Sequence, residues 1–218
     1  MRTSDLPDIR VDLIRDPAAI VWIQRFLDGQ SRPRPVHATP RPGPDLHLAS
    51  TWFGAVDAEG QVLGCLRFVS ANDRALPFAS DASIDADAQR TLDGLRGQVS
   101  HVMDLTIAPS APPLTTLSVL ARSAVQHAVA AGQHSYLVAE VPERMIRFLR
   151  SSLNLSCEII GTPRRFNDGD DWWPVLIDGV RWLHDLRFER PDQWRWIVDD
   201  LVISVDSPRA EIDLNELL

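Results

Sequence analysis

Cysteine is scarce in this chain. Its two copies, Cys65 and Cys157, lie far apart in apolar, strand-like segments, a spacing that supplies neither a disulfide framework nor a paired metal motif. Buried free thiols and no metal site are the expectation. Long apolar runs are missing too: no stretch approaches the ~18 residues a membrane span requires, and the N-terminus MRTSDLPDIRVDLIRD carries charge where a signal peptide would be apolar. A cytoplasmic protein without membrane contact is expected. Cationic residues are outnumbered, 22 against 30 acidic ones for a net charge of -8, which argues against a broad nucleic-acid footprint because nonspecific binding needs clustered positive charge. Tyrosine occurs once, at Tyr136. Glycine is absent from Leu105 to Leu120, LTIAPSAPPLTTLSVL, where a strand runs through a turn into a helix. Many cofactor-binding folds place a glycine-rich phosphate loop at such a junction; here it holds three prolines and the pair Thr115-Thr116.

What is present reads as one α/β domain over residues 1–218, since 44% hydrophobic composition at this length fills a full core. Pro17 to Asp28 places apolar side chains at spacings of three and four, predicting an amphipathic helix that opens the fold. Ser31 to Asp45 carries five prolines in fifteen residues; proline removes amide donors and fixes φ, so a long loop is expected there. Arg32, Arg34 and His37 in this loop can meet an anionic ligand or remain solvated. Two apolar runs around Asp57-Ala58-Glu59-Gly60 predict a hairpin with strands near Trp52 to Val56 and Gln61 to Val69. The latter half of LPFASDASIDADAQRTLDGL has helical spacing. Ser100 to Ala108 is a strand, and Leu114 to Ala131 a helix with Leu117, Leu120, Ala124 and Ala128 on one stripe, capped by Gly132. His134 to Val141 is the next strand. Pro142-Glu143 starts a helix with proline at its first position. SCEIIGTPRRF and WWPVLID are the last two strands, followed by a C-terminal helical extension at about 180–218. Strands alternating with helices after an early hairpin give a mixed sheet in an α/β layer fold.

The hairpin end GQVLGCLRFV, the strand DLTIAP before a long helix, and YLVAEV followed by PERMIRFLR together resemble the GNAT superfamily of N-acetyltransferases. LRFVSANDRALPF, SHVMDLTIA and IIGTPRRFNDGDDWWPVLID are similar to the branch of acyl-homoserine-lactone synthases and N-acyl amino acid synthases. The resemblance covers about Thr51 to Asp178. It implies a GNAT-like single domain whose central mixed sheet is splayed between the fourth and fifth strands, with helices on both faces. It also implies a donor whose pantetheine arm pairs with the fourth-strand backbone, here Met103, Leu105, Thr106 and Ile107. The family's phosphate loop carries an Arg or Gln and two spaced glycines. Pro112, Thr115 and Leu117 stand at those positions here, so the pyrophosphate of CoA loses its cradle. A single phosphodiester on Thr115, Thr116 and the helix amides remains feasible, which points to acyl-phosphopantetheine on an acyl carrier protein, with acyl-CoA as the alternative donor. No tightly bound cofactor is implied.

Amide formation from a thioester needs an unprotonated amine and relief of the leaving thiolate. The resemblance puts His101 and Asp104 where the lactone synthases carry Glu and Arg, and their side chains point to opposite faces of a regular strand. His101 supplies an imidazole, a group suited to taking an ammonium proton directly or through water. Glu140, alone in the apolar run LVAEV, is a third catalytic candidate. The family's tyrosine acid falls near Leu149 and is absent. Arg67, Trp172 and Trp173 are candidates for the acceptor pocket, and Arg144, Arg147 and Arg150 for docking an acidic carrier protein. The expected activity is N-acyl transfer from a carrier-borne thioester to a small-molecule amine in specialised-metabolite or antibiotic biosynthesis. An acyl-homoserine-lactone-type synthase, an acyl-CoA-dependent acetyltransferase and a noncatalytic binding module are the alternatives.

Overall fold

A five-residue strand, β1 (Arg10–Ile14), precedes the first helix, so the fold opens on a strand and not on the helix expected there. Its alternation is slight: Ile14 is buried while Arg10 and Leu13 face solvent. Pairing with a later strand is what fixes it. The computed structural model describes residues 9–14, 16–30, 50–70, 84–95, 97–130 and 136–198. The loop carrying Arg32, Arg34 and His37, the Gly132 cap and residues 199–218 of the C-terminal extension lie outside them. Among the described residues there are eight strands and six α-helices. The helices are α1 (Pro17–Gly29), α2 (Ala86–Gly94), α3 (Pro113–Ala130), α4 (Glu143–Leu153), α5 (Gly179–Glu189) and α6 (Pro191–Val198). The later strands are β2 (Ser50–Val56), β3 (Val62–Ser70), β4 (Val99–Ile107), β5 (Tyr136–Pro142), β6 (Glu158–Ile159), β7 (Arg164–Arg165) and β8 (Asp171–Asp178). Their hydrogen-bonded order is β1-β2-β3-β4-β5-β8-β6, with β7 on β8. None of the described helices is long and apolar enough to cross a membrane.

The chain divides into two compact units. The first holds Met1–Pro33, Pro40–Val69 and Val102–Ala124. Here β1 and β3 both pair antiparallel with β2. Asp57 closes the β2–β3 hairpin by accepting a 2.7 Å hydrogen bond from the Gln61 amide, with Gly60 at φ +80°. One face of this sheet meets α1, whose Ile20, Ile23 and Leu27 pack with Ile14, Trp52, Val62 and Cys65. Asp16 caps α1 by accepting from the Ala18 amide at 3.0 Å, with Pro17 in the first turn. On the opposite face Gly64 lets α3 approach. A Cβ at that position would stand 2.9 Å from the Thr106 carbonyl oxygen and 3.0 Å from Thr116 Cγ2, so only glycine fits without displacement.

The second unit holds Arg34–Thr39, Ser70–His101 and Val125–Leu218. Its core joins Leu92, Val99, Val138, Ile160 and Leu176, with Tyr136 packed against it. β5 pairs antiparallel with β8 along its whole length, from Tyr136↔Asp178 to Pro142↔Trp172. Pro142 is therefore the last residue of β5 and the N-cap of α4, in extended geometry, and not the first helical residue. Asn154 ends α4 in the left-handed region at φ 50°, which asparagine tolerates. The Trp182 indole donates to the Leu153 carbonyl at 2.9 Å, and the Gln126 amide donates to the Ile197 carbonyl at 2.7 Å, tying down α5 and α6.

β4 is shared by both units. It pairs in parallel with β5 over Val99↔Tyr136, Ser100↔Leu137 and His101↔Val138. The ladder ends there, although β4 runs on to Ile107 and β5 to Pro142. The mixed sheet with its parallel β4–β5 pairing and the six described helices match the expected fold class.

Candidate active site

Asp104 breaks the regularity of β4. Its φ is +50° in the middle of a strand, a conformation that costs most L-residues about 1–2 kcal/mol and that the short polar side chain of aspartate tolerates. Consecutive strand residues normally point to opposite faces. At this kink Met103 and Asp104 both reach one guanidinium: Arg67 Nη2 lies 2.7 Å from Asp104 Oδ2 and 3.5 Å from Met103 Sδ. The Cys65 thiol adds a 3.5 Å contact to the Asp104 carbonyl oxygen. The regular strand on which His101 and Asp104 would face opposite sides is thus interrupted at Asp104 itself.

Arg67 is 2% exposed and lies over the fully buried Trp52 ring, 5.0 Å from its centroid. A guanidinium so desolvated needs a countercharge, and removing one partner of such a pair costs about 3–5 kcal/mol. The expected acceptor-facing arginine is in fact an interior one. Asp104, 21% exposed, is the partner that reaches solvent. Beyond it Leu105 is exposed and Met103, Thr106 and Ile107 are half-buried, so this segment of β4 is accessible.

The α3 entrance is proline-shaped. The Ala111 amide donates to the Ala108 carbonyl at 3.0 Å, and the Thr116 amide donates to the Pro112 carbonyl at 3.0 Å, closing the first helical turn. A helix normally offers four unpaired amides at this end. Pro112 and Pro113 have none, which leaves Leu114 and Thr115. Thr115 is half-buried. Thr116 is fully buried against Gly64, and its hydroxyl has no hydrogen-bond partner, so it faces the core and not the phosphate expected there.

In the second unit His101 is 5% exposed, in register with Val138 of β5. Glu140 is held by Arg164, whose Nε donates to Oε1 at 2.6 Å while Nη2 donates to Oε2. The two side chains are 13% and 19% exposed. Clamped by both prongs of a guanidinium, Glu140 serves as an anchor for β7. Trp172 stacks on Phe166 at 4.5 Å and 14°, and its indole donates to Asp168 Oδ2 at 3.2 Å; it packs the β7–β8 hairpin. Trp173 is half-buried, opposite Val141. The arginines expected to dock a carrier protein have partners of their own: Arg144 with Asp170 at 3.0 Å, Arg147 with Glu143 at 3.9 Å, and Arg150 donating to the Cys157 carbonyl at 2.6 Å. The surface there alternates in charge. Burial pushes the Cys157 thiol up to about 11, against a smaller opposing pull from Arg150, so it is not a nucleophile at neutral pH.

Neither partner arginine was singled out by its sequence context for the role it takes. The signal was a lone charge inside an apolar run: LRFV against VMDL for the first pair, LVAEV for Glu140 in the second.

No family model and no curated protein matches the sequence. Solved structures do match. FeeM, an N-acyl amino acid synthase from uncultured soil microbes, aligns at 14% identity over 81% of this chain and 94% of its own, with a TM-score of 0.62. MesI, a CoA-dependent acyl-homoserine lactone synthase, aligns at 15% identity over 90% and 100%, with a TM-score of 0.56. Mutant forms of the spermidine/spermine N-acetyltransferase SpeG from Vibrio cholerae align at 10% identity over 82% and 98%, with a TM-score of 0.53. The chain has the GNAT fold.

Proposed function

We propose that this GNAT-fold chain is an amide-forming acyltransferase that moves an acyl group from a carrier-protein phosphopantetheine to the amine of a small molecule. Acyl transfer has its support in the fold, shared with two acyl-chain synthases and an acetyltransferase. The donor assignment is carried by the α3 entrance. Two prolines delete half of the amides that could meet phosphate, and the Thr116 hydroxyl is turned inward. Two remaining amides suit the single phosphodiester of a carrier-borne arm better than the pyrophosphate of CoA.

In this reading the pantetheine amides pair with the accessible backbone of Met103, Leu105, Thr106 and Ile107, and the Leu114 and Thr115 amides take the phosphodiester. The acceptor nitrogen attacks the thioester carbonyl, the C–N bond forms, the C–S bond breaks, and the departing thiolate takes up a proton. Asp104 orients the attacking amine, whose released proton balances the one the thiolate takes up. Arg144, Arg147 and Arg150 contribute local contacts to the carrier. The activity belongs to cytoplasmic specialised-metabolite biosynthesis. Acyl-CoA as donor is the second reading, favoured by the likeness to MesI, a CoA-dependent synthase. Incubation with acyl-carrier protein, acyl-CoA or no donor, plus a panel of amines, separates the two by mass spectrometry. Amide formed only from acyl-CoA overturns the carrier assignment.

A further inference from the structure

We infer that the Arg67–Asp104 pair determines which acceptors the enzyme takes, selecting amines that carry no carboxylate beside the amino group. This rests on the acyl-transfer reading and names the substrate class for the same site. The argument begins with orientation. Arg67 lies behind, 2% exposed, its guanidinium carbon 5.0 Å from the centroid of the Trp52 ring; Asp104 stands in front, 21% exposed, 2.7 Å away. A neutral pair arranged this way is a dipole with its negative end toward solvent. The left-handed Asp104 backbone brings Met103 Sδ and Asp104 Oδ2 onto the same Nη2, and the guanidinium they hold is almost wholly buried. The outward face attracts an ammonium group and repels a carboxylate held close to it. An α-amino acid brings both, and a simple amine brings only the first.

The test compares phenethylamine with phenylalanine, which differ by that carboxylate. With one acyl donor, kcat/KM for wild type is expected to favour phenethylamine by at least about tenfold, a difference of about 1.4 kcal/mol. Asp104→Asn keeps the size and tolerates the left-handed backbone while removing the negative end of the dipole and leaving the buried Arg67 charge uncompensated; the preference should fall by about tenfold or invert. The double variant Asp104→Asn with Arg67→Met removes both charges and should bring the ratio near unity, in a protein that circular dichroism and a thermal melt show to be folded. A wild-type ratio of one or below, or an unchanged ratio in the double variant, overturns the inference. Calorimetry of both compounds with wild type and double variant reads the same selectivity without turnover. Preferential binding of the amine by wild type, lost in the double variant, with no product from any donor, sustains the inference and counts against acyl transfer. Equal or absent binding overturns the inference.

Discussion

Replacing Pro112 by serine and Pro113 by alanine returns two amide donors to the start of α3. In the wild type the Thr116 amide is already spent on the Pro112 carbonyl at 3.0 Å, so the four N-terminal positions contribute only Leu114 and Thr115 to an anion. A hydrogen bond to a charged group nets ~1.5–3 kcal/mol. If the geometry realises one of the two restored bonds, CoA should bind roughly 10- to 150-fold more tightly. Phosphopantetheine alone, with one phosphate, should gain less, because the wild-type amides already meet its charge. The effect on stability is small: loss of proline loosens the unfolded chain by ~0.4–1 kcal/mol per site, while serine at the N-cap recovers about 1 kcal/mol. Calorimetric titration of CoA and of phosphopantetheine into both proteins reads the two affinities, and kcat/KM for acyl-CoA against acyl-carrier protein reads the consequence. CoA affinity unchanged within about twofold in a variant that melts close to wild type would refute the reasoning, since the prolines would then not be what keeps the pyrophosphate out.

Gly64→Ala should destabilise by about 1–3 kcal/mol, the usual cost of overpacking, because its Cβ would stand 2.9 Å from a backbone oxygen; a melt should show a fall of about 2–4 °C per kcal/mol. Glu140→Gln should cost up to about 3 kcal/mol, below the 3–5 kcal/mol of a fully buried pair because both groups retain some exposure. Adding Arg164→Met should recover part of it; full stability with abolished turnover would instead make Glu140 a catalytic group. Cys157 sets a pH dependence. Its folded-state value, raised from 9.0 to about 11, means the folded chain holds its proton longer than the unfolded one, so the stabilisation is complete below pH 9 and is lost between 9 and about 11. Chemical denaturation across that range should show the loss, and Cys157→Ala should flatten it.

The elements that sequence foretold are those whose information is local. The β2–β3 hairpin follows from Asp57 and Gly60 alone, and α3 from an apolar stripe that buries Leu117, Leu120 and Ala124. β1 escaped because five residues carrying two charges hold their shape only by pairing with β2, some forty positions away. Pro142 misled because a residue suited to a first helical turn can equally end a strand. The site was half legible. Glu140 stood out as a charge in an apolar run, Asp104 through the family resemblance and Arg67 as a pocket candidate, yet which charge would meet which depended on strand order and on β7 folding back to β8. The +50° φ at Asp104 leaves no trace in the residue pattern beyond an aspartate, one of the few residues that permits it.

The placement of β8 has a consequence for biogenesis. It pairs with β5, β6 and β7, yet it is the last of the described strands to be made. On a ribosome working at ~5–20 residues per second, the first unit has all its segments by Ala124, while β5 waits several seconds longer with one side unpaired. Unclosed strands invite association with other chains, so a nascent chain stalled between Pro142 and Asp171 is the species on which chaperones should be found.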